Sequence, residues 1–332
     1  MCSEIVPISS YLQLLFGVIC LFMITIGFFG NVLVIAIVAK VLRWRRTYPN
    51  CLIFTLAFVD VFTIIICLFP ALLYYFMAFD MNTSLFCNFQ GTIVNLLLIM
   101  SVLLVSTLSL DRFLALRTPF FYKTHAVFQF NRLAAFVGFL FGFALSLSLL
   151  PTFGVSNFIV KHPGTFCWLN LKPKSLEGKL ALNANLVMFL LSMLIVLACN
   201  LSASWMSYKM LSRAGKQCSE FESSRAICSR EECHFLKLSV IVMTLFLFCW
   251  LPFTIQVIMI QAKYPCNALW YLTAVFLVSL HTILNPWVYL LSRRQYRKGV
   301  WFIIKSSLHF IFCKKLCTSK DNLDNILGLP SL

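Results

Sequence analysis

The chain has 332 residues, 61% of them hydrophobic and only 11% charged, with a mean hydropathy of +0.89. That is more apolar side chain than a soluble core of this size can bury, which excludes a soluble globule. The net charge of +16 would suit a nucleic-acid binder, but the charges are confined to blocks between long uncharged stretches, so no nucleic-acid partner is expected.

Taken in chain order, uncharged intervals run from Glu4 to Lys40, Asp80 to Asp111, Arg132 to Lys161, Lys179 to Lys209, Lys237 to Lys263 and Lys263 to Arg293. Arg46 to Asp80 is interrupted only by Asp60. Each interval exceeds the roughly 20 residues that cross a bilayer as a helix. Together they predict an all-α membrane protein, a bundle of seven transmembrane helices. With the N-terminus outside, only Lys161, Lys172, Lys174, Lys179 and Lys263 of the 27 basic residues face outward; positive residues collect on the cytoplasmic side, so this topology is the expected one, at the plasma membrane. Met1–Ser10 lacks a basic n-region, so the first segment reads as a retained anchor. No repeat or linker divides the chain. The expected layout is a receptor domain over 1–305 and a short cytoplasmic tail over 306–332.

Segment one carries Gly30-Asn31, and segment two carries Asp60 at a similar depth. An amide in hydrocarbon commonly glues helices together, whereas an intramembrane carboxylate usually marks a functional path. Segment three begins near Cys87 and ends, one membrane thickness later, at Asp111-Arg112-Phe113. Arg112 has Asp111 or Glu232, at the foot of segment six, as candidate ion-pair partners. Four cysteines face the oxidising side, Cys2, Cys87, Cys167 and Cys266; Cys87 with Cys167 is the first pairing to consider, Cys2 with Cys266 the second. Asn82-Thr83-Ser84 is a glycosylation sequon in the first outer loop, whereas Asn200-Leu201-Ser202 falls inside a span.

Segment six holds Cys249-Trp250-Leu251-Pro252-Phe253, where a proline removes a backbone hydrogen bond beside an indole and predicts a bend. Segment seven holds Asn285-Pro286-Trp287-Val288-Tyr289, polar and helix-breaking chemistry at membrane depth. Asp60 and Asn285 together are a candidate site for a water or a sodium ion; no other metal and no cofactor is expected. His281 reads as a hydrogen-bonded packing residue. From about residue 293, Arg293-Arg294-Gln295-Tyr296-Arg297-Lys298 and Trp301-Phe302-Ile303-Ile304 predict a short amphipathic helix on the cytoplasmic interface, in contact with membrane lipids. Cys313 and Cys317, beside Lys314 and Lys315, are candidate palmitoylation sites.

In this order, Asn31, Asp60, Asp111-Arg112-Phe113, Cys87 with Cys167, the Trp250–Pro252 element and Asn285–Tyr289 resemble the rhodopsin-like G-protein-coupled receptors, over residues 11 to 305. A narrower resemblance is to the prostanoid receptors. His162-Pro163-Gly164-Thr165-Phe166-Cys167-Trp168 is similar to their Gly-Thr-Trp-Cys-Phe element with the aromatics exchanged, and Ile283-Leu284-Asn285-Pro286-Trp287 to their Ile-Leu-Asp-Pro-Trp. Segment four also lacks tryptophan and segment five lacks proline, and Leu114–Tyr122 resembles that subfamily's second inner loop.

The resemblance implies a receptor for a lipid mediator, with a heterotrimeric G protein as partner and no enzymatic activity. It implies that Tyr75 and Thr165 hold a ligand carboxylate, while the position of the subfamily's ligand-pairing arginine is Phe276 here. Lys179 or Lys263 could replace that charge from the rim; alternatively the ligand has a neutral head group or is not a prostanoid. Asn95 and Phe253 complete the expected ligand contacts, and Asp60, Asp111, Arg112, Glu232, Trp250, Pro252, Asn285, Pro286 and Tyr289 the expected switch. Segment three carries Val94 and Asn95 rather than the acid an amine receptor requires. A peptide receptor is the nearest alternative; a transporter or channel would call for inverted repeats or rings of pore charge, and none is visible.

Overall fold

The computed structural model describes residues 9–41, 47–77, 84–118, 122, 130–153, 158–161, 165–216, 241, 244–265 and 268–312. Cys2, Asn82, Glu232, Cys266, Cys313 and Cys317 lie outside these residues. Seven helices are long and apolar enough to cross a membrane: α1 (Ser10–Val41), α2 (Tyr48–Met77), α3 (Ser84–Arg117), α4 (Phe130–Phe153), α5 (Leu176–Lys216), α6 (Thr244–Gln261) and α7 (Ala268–Ser292). A further helix, α8 (Arg294–Phe312), follows at once.

The bundle inverts the pattern of a soluble protein. Phe139, Leu191 and Trp205 are exposed on its outside, facing where lipid would lie, whereas Asn31, Asp60, Asn95 and Asn200 are buried inside. Lipid tails are as apolar as leucine, so helices associate through close packing and hydrogen bonds. The central helix is α3, in contact with α2, α4 and α5. Asn200 of α5 donates to Ser109 Oγ of α3 at 3.0 Å, so the second sequon is used up in helix packing. Close approach of α1 to α7 depends on Gly30, where a Cβ would come within 2.9 Å of Pro286 Cγ and 3.0 Å of Trp287 Nε1.

Two prolines free carbonyls that other helices capture. Pro286 cannot donate to Thr282 four residues earlier, and Asn31 of α1 donates to that Thr282 carbonyl at 3.2 Å. Pro70 likewise leaves the Ile66 carbonyl free within a π-helical turn, Ile64–Leu68, and Gln90 of α3 donates to it at 3.1 Å. In lipid such capture is what makes an internal proline tolerable. The interhelical role expected of Asn31 thus has a specific object.

One element is not helical. Between α4 and α5 lies an antiparallel hairpin of β1 (Phe158–Lys161) and β2 (Phe166–Leu169), in which Phe158 faces Leu169 and Lys161 faces Phe166. The hairpin is pinned to α3 by the Cys87–Cys167 disulfide and by the Cys167 amide, which donates to Gln90 Oε1 at 3.1 Å. Phe158 packs on α3 at Gly91, where a Cβ would come within 2.4 Å of its ring.

At the opposite end, α8 docks on the bundle. Tyr296 is fully buried and its phenol donates to Asn50 Oδ1 of α2 at 3.4 Å; Gly299 sits against Ile37 of α1.

Candidate ligand cavity and helix switch

Beneath the hairpin the helices leave a cavity of connected lobes. The largest, about 490 Å³, is walled by Thr63, Val94, Phe166, Trp168, Phe253 and Val278 among others. A second, about 350 Å³, shares Cys67, Leu68, Phe166, Val275 and Ser279 with it and extends to Tyr75, Thr165 and Phe276. A third, about 270 Å³, reaches α5 through Leu182 and Phe189. The lining, largely apolar with few polar groups, is that of a small-molecule site.

Tyr75 and Thr165, 90 positions apart in sequence, are brought together here in one lobe. Phe276 stands in the same lobe, its ring stacked on Phe16 of α1 with centroids 5.5 Å apart. Phe253 lies 5.0 Å from the Trp168 ring and lines two lobes. Asn95 has a different occupation: it donates to Asn185 Oδ1 at 3.1 Å and to Ser148 Oγ at 3.4 Å, and accepts from Trp168 Nε1 at 3.2 Å. Its amide ties α3 to α4, α5 and the hairpin and fixes the Trp168 indole in the cavity roof. Lys179 and Lys263 are both exposed, and neither lines any of these lobes.

Below the cavity, Trp250 is buried among Phe189, Phe246 and His281, at centroid distances of 5.2, 6.1 and 6.0 Å. Its indole N–H has no hydrogen-bond partner among the described residues, and neither does His281 Nδ1. His281 is therefore a packing residue as expected, but not one held by a hydrogen bond at that nitrogen; it meets Phe246 edge-on instead. Deeper still, Asp60 is fully buried. Asn285 Nδ2 donates directly to Asp60 Oδ2 at 3.0 Å and Ser101 Oγ to Oδ1 at 3.5 Å, so carboxylate and amide touch with no bridging group between them.

At the far end Arg112 is buried, and its Nε and Nη2 have no hydrogen-bond partner among the described residues. The Asp111 carboxylate is taken by the Tyr122 hydroxyl at 2.8 Å. Burial and the Asp111 charge hold the Tyr122 phenol well above its usual value, so it remains a donor. Tyr289, three residues after Pro286 in the sequence motif, is buried within electrostatic reach of Arg112 and Arg293.

The geometry thus joins a roofed cavity to a buried arginine through α6 and α7. The description "7 transmembrane receptor (rhodopsin family)" matches residues 30–289. The chain belongs to this family. Among curated relatives, this rhodopsin-family receptor is 26% identical to the bovine (Bos taurus) prostaglandin E2 receptor EP3 subtype over 304 residues, 82% of this chain and 70% of that one. It is 26% identical to the Mus musculus EP2 subtype over 62% of this chain and 58% of the relative, and 29% identical to the human thromboxane A2 receptor over 63% and 61%. Squid rhodopsin shares the fold, with a TM-score of 0.75 at 19% identity, over 99% of this chain and 94% of that one.

Sequence reasoning did not single out Gln90, Trp168, Asn185 or Lys161. Gln90 carried a legible signal, an amide on α3 level with Pro70 on α2. Trp168 and Lys161 lie in the hairpin, whose alternation over four residues per strand is too short to read, and Asn185 owes its role to the packing of α5 against α3.

Proposed function

We propose that this receptor binds a lipid mediator of prostanoid type from the extracellular side and couples to a heterotrimeric G protein. The convergence of Tyr75 and Thr165 in one apolar, roofed cavity carries the reading. The relatives named for prostaglandin E2 and thromboxane A2 support the ligand class. The excess of Lys and Arg on the Arg112 side supports a cytoplasmic C-terminus and an extracellular hairpin, in the plasma membrane.

A ligand filling the lobes meets Trp168 and Phe253, one helical turn above Trp250. Pressure there favours a swing of the Arg112-side half of α6 about Pro252, which lacks the backbone N–H that would stiffen the helix. The same rearrangement exposes Arg112 and turns Tyr289, and the G protein stabilises that state by binding it more tightly than the closed one. Asp60, with Ser101 and Asn285, offers an oxygen-rich set suited to a sodium ion that holds the closed state.

Reporter cells expressing the chain, read for cyclic nucleotide and calcium against panels of lipid mediators and of peptides, test this. A response to prostanoid-type lipids is expected; a response confined to peptides would sink the lipid reading.

A further inference from the structure

The three lobes of the cavity stand in series. The largest, central lobe shares Cys67, Leu68 and Ser279 with the lobe of Tyr75 and Thr165. With the α5 lobe it shares, among the described residues, only Trp168 and Phe253, and the two outer lobes have no lining residue in common. The rings of Trp168 and Phe253, with centroids 5.0 Å apart and planes tilted by 54°, are therefore the partition between the central space and α5. A molecule held at Tyr75 reaches the third lobe only by parting them.

The two rings are not held alike. The Trp168 indole donates to Asn95 Oδ1 at 3.2 Å, and the preceding residue, Cys167, is tied to α3 by its disulfide. Phe253 has no polar anchor and stands on α6, directly after Pro252 and three residues from Trp250. A chain entering between the rings moves Phe253 and leaves Trp168 in place. The lobe behind the partition suits hydrocarbon, because its polar members are already engaged. Asn185 accepts from Asn95 at 3.1 Å and donates to the Ala181 carbonyl at 2.9 Å, and Thr254 donates to the Trp250 carbonyl at 2.9 Å.

We propose that the Trp168–Phe253 pair is a gate through which the receptor measures the length of its lipid. The polar head stays with Tyr75 and Thr165; a chain long enough to enter the α5 lobe displaces Phe253 and drives α6. A shorter chain fills the first two lobes and leaves Phe253 in place. A ligand that binds both states equally shifts nothing, however tightly it binds, so the short lipid occupies the receptor without switching it. The proposal rests on the lipid-receptor reading above and narrows it to long-chain lipids, with Phe253 converting chain length into response.

The test uses full-length receptor with prostaglandin E2 and analogues successively shortened at the alkyl end, read for melting temperature of the purified receptor, for competition binding and for maximal response in reporter cells. The shortened analogues should still bind and stabilise, with the shortest giving less than about a tenth of the maximal response to prostaglandin E2. In Phe253→Ala, prostaglandin E2 should still stabilise the receptor while its maximal response falls toward that of the shortest analogue; Phe253→Tyr should retain the response. Leu186→Trp, which fills the third lobe from α5, should lower prostaglandin E2 potency by about 10-fold or more and leave the affinity of the shortest analogue as in the wild type. Full response to the shortest analogue overturns the gate, as does parallel loss of binding and response in Phe253→Ala, or an equal loss for long and short ligands in Leu186→Trp; each leaves the lipid reading intact. The series on the wild type decides the matter even where a variant fails to fold. If neither prostaglandin E2 nor any analogue stabilises or activates the wild type, the lipid reading itself fails and takes the gate with it.

Discussion

Gln90 is the residue through which three parts of the outer bundle depend on one side chain. Its amide donates to the Ile66 carbonyl freed by Pro70 and accepts from the Cys167 amide of the hairpin. Gln90→Leu keeps the volume but orphans one buried carbonyl and one buried N–H. An unsatisfied buried group costs about 1–3 kcal/mol in proteins generally, while measured interhelical hydrogen bonds in membranes average about 0.6 and reach about 1.7 kcal/mol. Two such losses therefore sum to about 1–3 kcal/mol. At roughly 2–4 °C per kcal/mol, the detergent-purified receptor should melt about 2–12 °C lower. Gln90→Glu, which keeps the acceptor for Cys167 but loses the donor for Ile66, should fall between. The assay is thermal unfolding followed by reactivity of the buried thiols of Cys20, Cys199 and Cys249. Unchanged melting in Gln90→Leu would refute the idea that proline-freed carbonyls need capture here.

Two further outcomes follow from the packing. Phe276→Arg sacrifices the stack on Phe16, worth about 0.5–1.5 kcal/mol, but adds a guanidinium to the lobe of Tyr75 and Thr165; potency of carboxylate prostanoids in a dose–response assay should rise several-fold. Gly30→Val drives a branched side chain into Pro286 and Trp287 and should destabilise the receptor by about 1–3 kcal/mol, visible as reduced surface expression and a lower melting temperature.

The sequence by itself determined the seven spans, because charge is excluded from hydrocarbon and the gaps between charges can be counted. It also determined the depths of Asn31, Asp60 and Asn285, because polar atoms at membrane depth must find one another; the direct Asp60–Asn285 bond is one outcome of that necessity. Tertiary structure decided what each polar group finds. Asn95 was legible as a polar group facing inward, yet it serves Trp168, Asn185 and Ser148 rather than standing free for a ligand. Arg112 was legible as a helix-end charge, yet Asp111 is engaged by Tyr122. The hairpin register, which buries Lys161 opposite Phe166 while Lys179 and Lys263 stay in solvent, was not legible at all. A lysine looks the same in sequence whether it stays in solvent or is buried; only the fold of the chain around it removes the water.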